Sequence, residues 1–224
     1  GSYGIGLAIA KEIQFENNIY IASRSNENLV DVKATYIPFD ATTDTIDTSL
    51  LPTIIDGLVY CPGSINLRPF KGIKPEAFET DLQINFISLV KVIQSVLPNL
   101  LASEQASIVT FSSVAASMGM PFHTSVSAAK GAIEGFAKAL AAEYAPKIRV
   151  NVIAPSLTDT PLADKFLNNE TKQEKSAERH PLKRFGKPED SAQMATFLLS
   201  DKSSWISGQI FHVDGGMSTL LVNG

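Results

Sequence analysis

The sequence predicts an α/β fold: a doubly wound parallel sheet with helices on both faces, in a single domain. Three observations predict it. Short β-rich runs alternate with longer helical patterns along the whole chain of 224 residues, and that alternation builds a parallel sheet covered by its crossover helices. The short runs read as buried strands, each bounded by turn signals. The chain also opens on a glycine-rich turn that feeds directly into a helix. No repeat, low-complexity tract or linker divides the sequence, so residues 1–224 are expected to form one domain.

The elements follow in order. "GSYGIGLAIAKEI" is the opening turn and helix, with Leu7, Ile9, Ala10 and Ile13 as apolar positions. Such a turn needs a strand before it, so a short apolar strand and one more glycine are expected upstream of residue 1. Strands are then expected at 19–23, 34–39, 56–60, 107–111, 148–153 and 209–213. In the long stretch from Pro75 to Leu101, Phe78, Leu82, Phe86, Leu89, Ile93 and Leu97 repeat at helical steps of three and four. The later run "AAKGAIEGFAKALAAEY" carries the small residues that permit close helix packing. Residues 161–187 are polar and suit a mobile lid over a substrate. Phe166 and Leu167 would give that lid an apolar inner face. His180 and Lys183 would meet an anionic substrate, with a solvated lid surface as the alternative.

Composition excludes several functions. An apolar share of 44% is enough for a substantial core. The net charge of −4, without a long basic block, argues against nucleic acid or an anionic membrane as the main partner. The single cysteine, Cys61, rules out an internal disulfide and every multi-cysteine metal site; no metal is expected. It also fits a reducing compartment. No uninterrupted apolar run reaches spanning length, and no signal peptide is expected before the fold. A cytoplasmic protein acting on a small molecule is the expectation.

In such sheets ligands bind beyond the carboxyl ends of the strands, so the segments after each strand are where chemistry belongs. Gly4-Ile5-Gly6 lets backbone approach a pyrophosphate, and the following helix offers its unpaired amides to the anion. At the end of the second strand of the fold, where an adenine ribose lies, an acid would bond the 2′-hydroxyl. Ser23 and Arg24 stand there instead and suit a 2′-phosphate. NADP is therefore expected as cofactor, with NAD the alternative. Asp40 follows the next strand, and a Pro-Gly turn follows the one after.

The pieces "GSYGIG", "FDAT", "LQIN", "IVTFSS", "SAAKGAIEGFAKALAAEYAPKIRVNVIAP", "TDTPLA", "RFGKPED" and "WISGQIFHVDGG" occur in that order across the chain. Together they resemble the short-chain dehydrogenase/reductase family over essentially its whole length. The resemblance implies a Rossmann-type fold in which Asp40 faces the adenine and the turn Cys61, Pro62, Gly63 passes beside its ribose. It implies that Asn151 belongs to the strand leading to the nicotinamide. Pro155 to Thr160, with Thr158 between, would close over the carboxamide. Cys61-Pro62 and Ser156 depart from the family's usual Asn-Ala and Gly at those places, though small turn-forming residues are kept.

The family's chemistry needs a serine to polarise the substrate carbonyl, a tyrosine to protonate its oxygen, a lysine on the nicotinamide ribose, and an asparagine that helps hold a relay water. By motif these map to Ser113, Lys130 and Asn85. The tyrosine position, four residues before Lys130, is Val126. Tyrosines stand at 3, 20, 36, 60 and 144, and none lies between Ser113 and Lys130.

His123 is seven residues before Lys130, the spacing at which enoyl reductases of the same superfamily place their tyrosine. Imidazole, with an unperturbed pKa near 6.5, serves as acid or base around neutrality. His123 is thus the candidate proton donor; a loop histidine bonded to backbone after Pro121 is the alternative. The resemblance implies hydride transfer between a nicotinamide cofactor and a small carbonyl, alcohol or enoyl substrate. A catalytically silenced dinucleotide-binding protein with a regulatory or structural role is the other reading. It also implies a homo-oligomer, tetramer or dimer, built on the helices at 75–98 and 127–144.

Overall fold

The computed structural model describes residues 1–222. Six strands form: β1 (Tyr20–Ser23), β2 (Thr35–Pro38), β3 (Gly57–Tyr60), β4 (Ala106–Phe111), β5 (Ile148–Pro155) and β6 (Ile210–Val213). Each lies where an apolar run placed it, and β5 continues to Pro155, beyond its expected end. All pairings are parallel, β1 with β2 and β3 through β6 in sequence order. The two groups do not bond to each other, and the opening turn lies between them. A Cβ on Gly1 would come within 2.9 Å of Ile21 in β1, and one on Gly6 within 3.2 Å of the Cys61 sulfur after β3. The strand expected upstream of residue 1 lies outside the described residues.

Helices cover both faces. They are α1 (Gly4–Ile13), α2 (Pro75–Leu82), α3 (Ser88–Leu101), α4 (Thr124–Tyr144), α5 (Asp164–Leu167), α6 (Glu170–Arg179) and α7 (Pro188–Leu199). Side chains alternate across a strand, and β4 shows it. Ala106 and Ile108 join one core with Leu89, Ile93 and Ile133 of α3 and α4. Val109 and Phe111 join the other with Ile9 of α1 and Ala192, Ala195 and Leu198 of α7. Every residue of β4 is buried, so its sequence reads as an apolar run rather than an alternation.

One buried polar residue ties these layers together. Arg149 of β5 is buried, and its guanidinium donates to the carbonyl oxygens of Leu198, Ser200 and Ser203. It thereby satisfies the carbonyls that the end of α7 leaves unpaired. The helical stretch Pro75–Leu101 is, by length and composition, apolar enough to cross a membrane. Counting uninterrupted apolar runs passes over it, because Asp81 and Lys91 interrupt them. Here Leu89, Val92, Ile93, Val96 and Leu100 lie in the core beside the sheet. Helices α2 and α3 are joined by a single π turn, Gln83–Ile87, a local widening that re-aims the side chains on it.

The segment 161–187 is folded. It holds a 3-10 turn at Pro161–Ala163, then α5 and α6, and Thr158 bridges to Gly186 at its base.

Candidate functional site

Parallel strands bring all their carboxyl ends to one edge of the sheet, and a cleft of about 1260 Å³ runs along that edge. Of the residues expected to be catalytic or to bind cofactor, all but Asn85 line it: the Gly4-Ile5-Gly6 turn, Ser23, Arg24, Asp40, the Cys61-Pro62-Gly63 turn, Ser113, His123, Lys130, Pro155, Thr158 and Thr160.

One end of the cleft is built mainly of backbone. Gly4 has φ +52, a left-handed conformation that glycine adopts without the Cβ penalty, and a Cβ there would meet the Thr160 side chain at 3.0 Å. The N-cap of α1, Tyr3, makes no side-chain cap bond, so the first amides of the helix keep their donors for an anion. Arg24 is exposed at the rim, whereas the Ser23 hydroxyl donates to the Ser25 carbonyl. Thr42 bonds the Asp40 carboxylate through both hydroxyl and amide and holds its pKa below the usual value. These residues fit a dinucleotide: a glycine cradle at an uncapped helix N-terminus, then a cation at the second strand's end.

The other end is built of side chains. Lys130 of α4 is buried and donates from Nζ to the Phe111 carbonyl at 2.9 Å. Burial lowers its pKa to about 8, against the opposing pull of Cys61 and Asp81. Burial pushes the Cys61 thiol up. Gly63 lets this corner close, since a Cβ on it would sit 3.2 Å from Asn85 Oδ1 and 3.4 Å from Lys130 Nζ.

The structure also separates the two serines after β4. Ser112 is buried and donates to Glu134 at 2.6 Å, tying β4 to α4. Ser113 lines the cleft, and its Oγ accepts only a 3.2 Å bond from the Ala115 amide.

Asn85 sits on the π turn with no exposure. Its Nδ2 donates to the Asp81 carbonyl and to Ser64 Oγ, each at 2.8 Å. Its side chain is therefore used inside the protein, where it braces the turn next to Gly63.

Behind it lies a residue that the sequence reading missed. The buried Asp81 carboxylate accepts from Ser64 Oγ and from Ser125 Oγ, each at 2.5 Å. Ser125 immediately precedes Val126, so this acid fixes the first turn of α4 and the Gly63-Ser64 turn together. A signal was available: Asp81, Asn85 and Leu89 follow at steps of four, a polar pair on a buried stripe.

Val126 is buried at 5% exposure and faces the cleft. His123 occupies the N-cap position of α4 without a side-chain cap bond, after Phe122, whose φ of +70 is a left-handed outlier for a non-glycine residue. Its Nδ1 lies 2.7 Å from the Pro121 carbonyl. A carbonyl only accepts, so Nδ1 carries the proton and Nε2 is the nitrogen outside that bond. His123 thus has both of its expected features: it lines the cleft, and it is bonded to backbone after Pro121.

In the lid, buried His180 departs from both of its readings, whereas exposed Lys183 takes the solvated one. His180 is buried, with Nε2 at 2.8 Å from Ser156 Oγ and Nδ1 at 2.6 Å from the Ser176 carbonyl. It is a strut between lid and sheet, with both nitrogens engaged. Lys183 has φ +56 and lies outside the cleft lining. Leu167 is buried and Phe166 lines the cleft, which supplies the apolar inner face.

Comparison with known proteins agrees with this architecture. The family described as enoyl-(acyl carrier protein) reductase matches residues 2–218. The 3-oxoacyl-[acyl-carrier-protein] reductase FabG of Thermotoga maritima is 38% identical over 164 residues, which are 73% of this chain and 66% of that protein. The FabG of Buchnera aphidicola is 30% identical over 229 residues, 96% of this chain and 93% of that protein. The ligand-free aldohexose dehydrogenase of Thermoplasma acidophilum superposes with a TM-score of 0.88 at 26% identity, covering 100% of this chain and 93% of its own.

Proposed function

The chain belongs to the short-chain dehydrogenase/reductase family of oxidoreductases, and from that premise we propose an NADP-dependent enzyme with an altered proton donor. Its substrate is a small carbonyl, alcohol or enoyl compound. The observation that carries the reading is the single cleft joining the glycine cradle at the uncapped α1 to the buried Lys130 and the cleft-facing Ser113. When bound, the nicotinamide supplies or accepts the hydride.

The chain's own residues do the rest. The turn Gly4-Ile5-Gly6 and the α1 amides hold the pyrophosphate. Arg24 favours the 2′-phosphate of NADP over NAD, while Asp40 and the Cys61-Pro62-Gly63 turn border the adenosine. Pro155, Thr158 and Thr160 wall the nicotinamide side, and Lys130 holds the ribose. The Ser113 hydroxyl polarises the substrate oxygen as charge develops on it.

Val126, which has no proton to give, stands where family members carry tyrosine. His123 takes over proton transfer through Nε2, giving a proton as the imidazolium in reduction and accepting one as the neutral Nδ1–H tautomer in oxidation. A positioned general acid contributes about 10² to 10⁴ in rate, so His123→Ala is expected to lower turnover by that order and to leave cofactor affinity intact. Unchanged turnover would remove His123 from the mechanism. Val126→Tyr is expected to raise carbonyl reduction if the scaffold is otherwise poised.

The decisive experiment is titration of the full chain with NADPH and NADH, followed by a carbonyl and enoyl substrate screen. Tighter NADPH binding with turnover supports the proposal, and no dinucleotide binding overturns it. The buried valine in the acid's place favours a second reading, a silenced dinucleotide-binding protein with a regulatory or structural role; binding without turnover across the screen selects it. We further propose a cytoplasmic homo-oligomer, dimer or tetramer, associating through the helices at 75–98 and 127–144.

A further inference from the structure

The cleft divides charge in a way that the chain's composition does not. The chain carries 23 acidic and 19 basic residues, yet six cations line the cleft against one acid, Asp40. Two of the six, Arg24 and Lys130, belong to the dinucleotide reading. The other four, Lys165, Lys172, Lys175 and Arg179, all stand on α5 and α6 of the lid.

Helix α6 sorts its charges by face. At 3.6 residues per turn, Lys172, Lys175 and Arg179 share the arc of buried Ser176. Glu170, Glu174 and Glu178 follow at steps of four on the opposite side, and none of them lines the cleft. The cations are also not neutralised. Lys165 donates to the Ile65 carbonyl at 3.1 Å, and Lys172 donates to the Lys165 carbonyl and to Asn168 Oδ1, each at 2.8 Å. All of these acceptors are uncharged. Lys175 and Arg179 have neither a hydrogen bond nor an ion pair from their side chains among the described residues, where Arg184–Asp190 is the ion pair that forms.

We propose that these four lid cations receive an anionic group on the substrate. The reaction's substrate is then a small carbonyl or alcohol bearing a carboxylate or a phosphate. The proposal rests on the oxidoreductase reading and narrows its substrate class. A cleft lined by one sign of charge with low-dielectric walls concentrates the opposite ion, and here Met120, Leu162 and Phe166 supply apolar wall beside the cations. Arg179 adds a planar fork that matches either oxyanion in two parallel hydrogen bonds.

Two matched pairs of probes test this by calorimetry on the full chain, with and without NADPH. Acetoacetate is set against its ethyl ester, and dihydroxyacetone phosphate against dihydroxyacetone. The anion of at least one pair is expected to bind about tenfold more tightly than its neutral partner, the order of two exposed charge contacts; which pair responds separates carboxylate from phosphate. In the double variant Lys175→Gln/Arg179→Gln the preference is expected to vanish while NADPH affinity stays unchanged. Both side chains are exposed, so folding is unaffected. No preference in either pair, or one that survives in the double variant, overturns the proposal. So does a double variant that loses NADPH affinity instead, since the cations would then serve the dinucleotide. Failure of the native chain to bind NADPH sinks the oxidoreductase reading by itself, because the anion preference is still measured without cofactor.

Discussion

The two ends of the cleft are made of different material. At the dinucleotide end the working parts are backbone: the Gly4-Ile5-Gly6 turn, the uncapped amides of α1, the Cys61-Pro62-Gly63 turn. At the other end the groups proposed to work are side chains, Lys130, Ser113 and His123, with the Asp81 carboxylate behind them. Backbone tolerates substitution, because a turn needs only small or turn-forming residues. That is how Cys61-Pro62 and Ser156 can depart from the family pattern without closing the cleft. A side-chain site has no such slack: on the proposed reading, Val126 in the place of an acid removes one chemical role outright.

The largest expected effect tests that contrast directly. Lys130→Met removes the ribose contact that orients the nicotinamide and is expected to lower turnover by about 10²-fold, measured as kcat on whichever substrate the screen identifies. A loss confined to KM would move Lys130 from the chemistry to simple binding and weaken the division between the two ends.

Next comes Asp81. Asp81→Ala leaves the half-buried Ser64 hydroxyl without its acceptor and the buried Ser125 hydroxyl with only the Ala77 carbonyl at 3.2 Å. An unsatisfied group costs about 1–3 kcal/mol, so a loss of about 1–3 kcal/mol in urea unfolding is expected. Asp81→Asn keeps an acceptor and should lose less. Because Asp81 opposes the lowering of the Lys130 pKa, Asp81→Asn should also move the pH profile of cofactor binding to lower pH. A purely structural Asp81 would leave that profile in place.

The same contrast explains what the sequence discloses. All six strands were legible: β4 and β5 are buried on both faces and are written as apolar runs, while the other four keep exposed residues and were read from short β-rich runs bounded by turns. The dinucleotide end was legible because a glycine turn before a helix is a local signal. Asp81, Ser64 and Ser125 were not, because they meet only when the helix of Asp81 packs on α4; an isolated Asp in a helical pattern reads as a solvated residue. The lid was half legible. Its apolar inner face followed from Phe166 and Leu167, but His180 looked like an anion contact until its two nitrogens were found bonded to Ser156 and Ser176.

The smallest effect is the one that joins the two ends. Lys130 is a base whose folded pKa, about 8, lies below its ordinary value of 10.5 because the ammonium is buried. Between those values the unfolded chain binds more protons than the folded one, so the stability of the cofactor-free protein rises as pH increases through that window. The cost of the buried charge is fully present below pH 8. Cofactor affinity should run the other way. An ammonium donating to the ribose is already protonated below about pH 8, whereas above it binding must draw a proton onto the amine. NADPH affinity is then expected to fall by up to about tenfold per pH unit above 8. Stability by urea unfolding and affinity by NADPH titration thus have opposite slopes over one pH range, and Lys130→Met should flatten both. Parallel slopes, or slopes that survive in Lys130→Met, would assign the proton to another group and leave the backbone end of the cleft to bind the dinucleotide without this lysine.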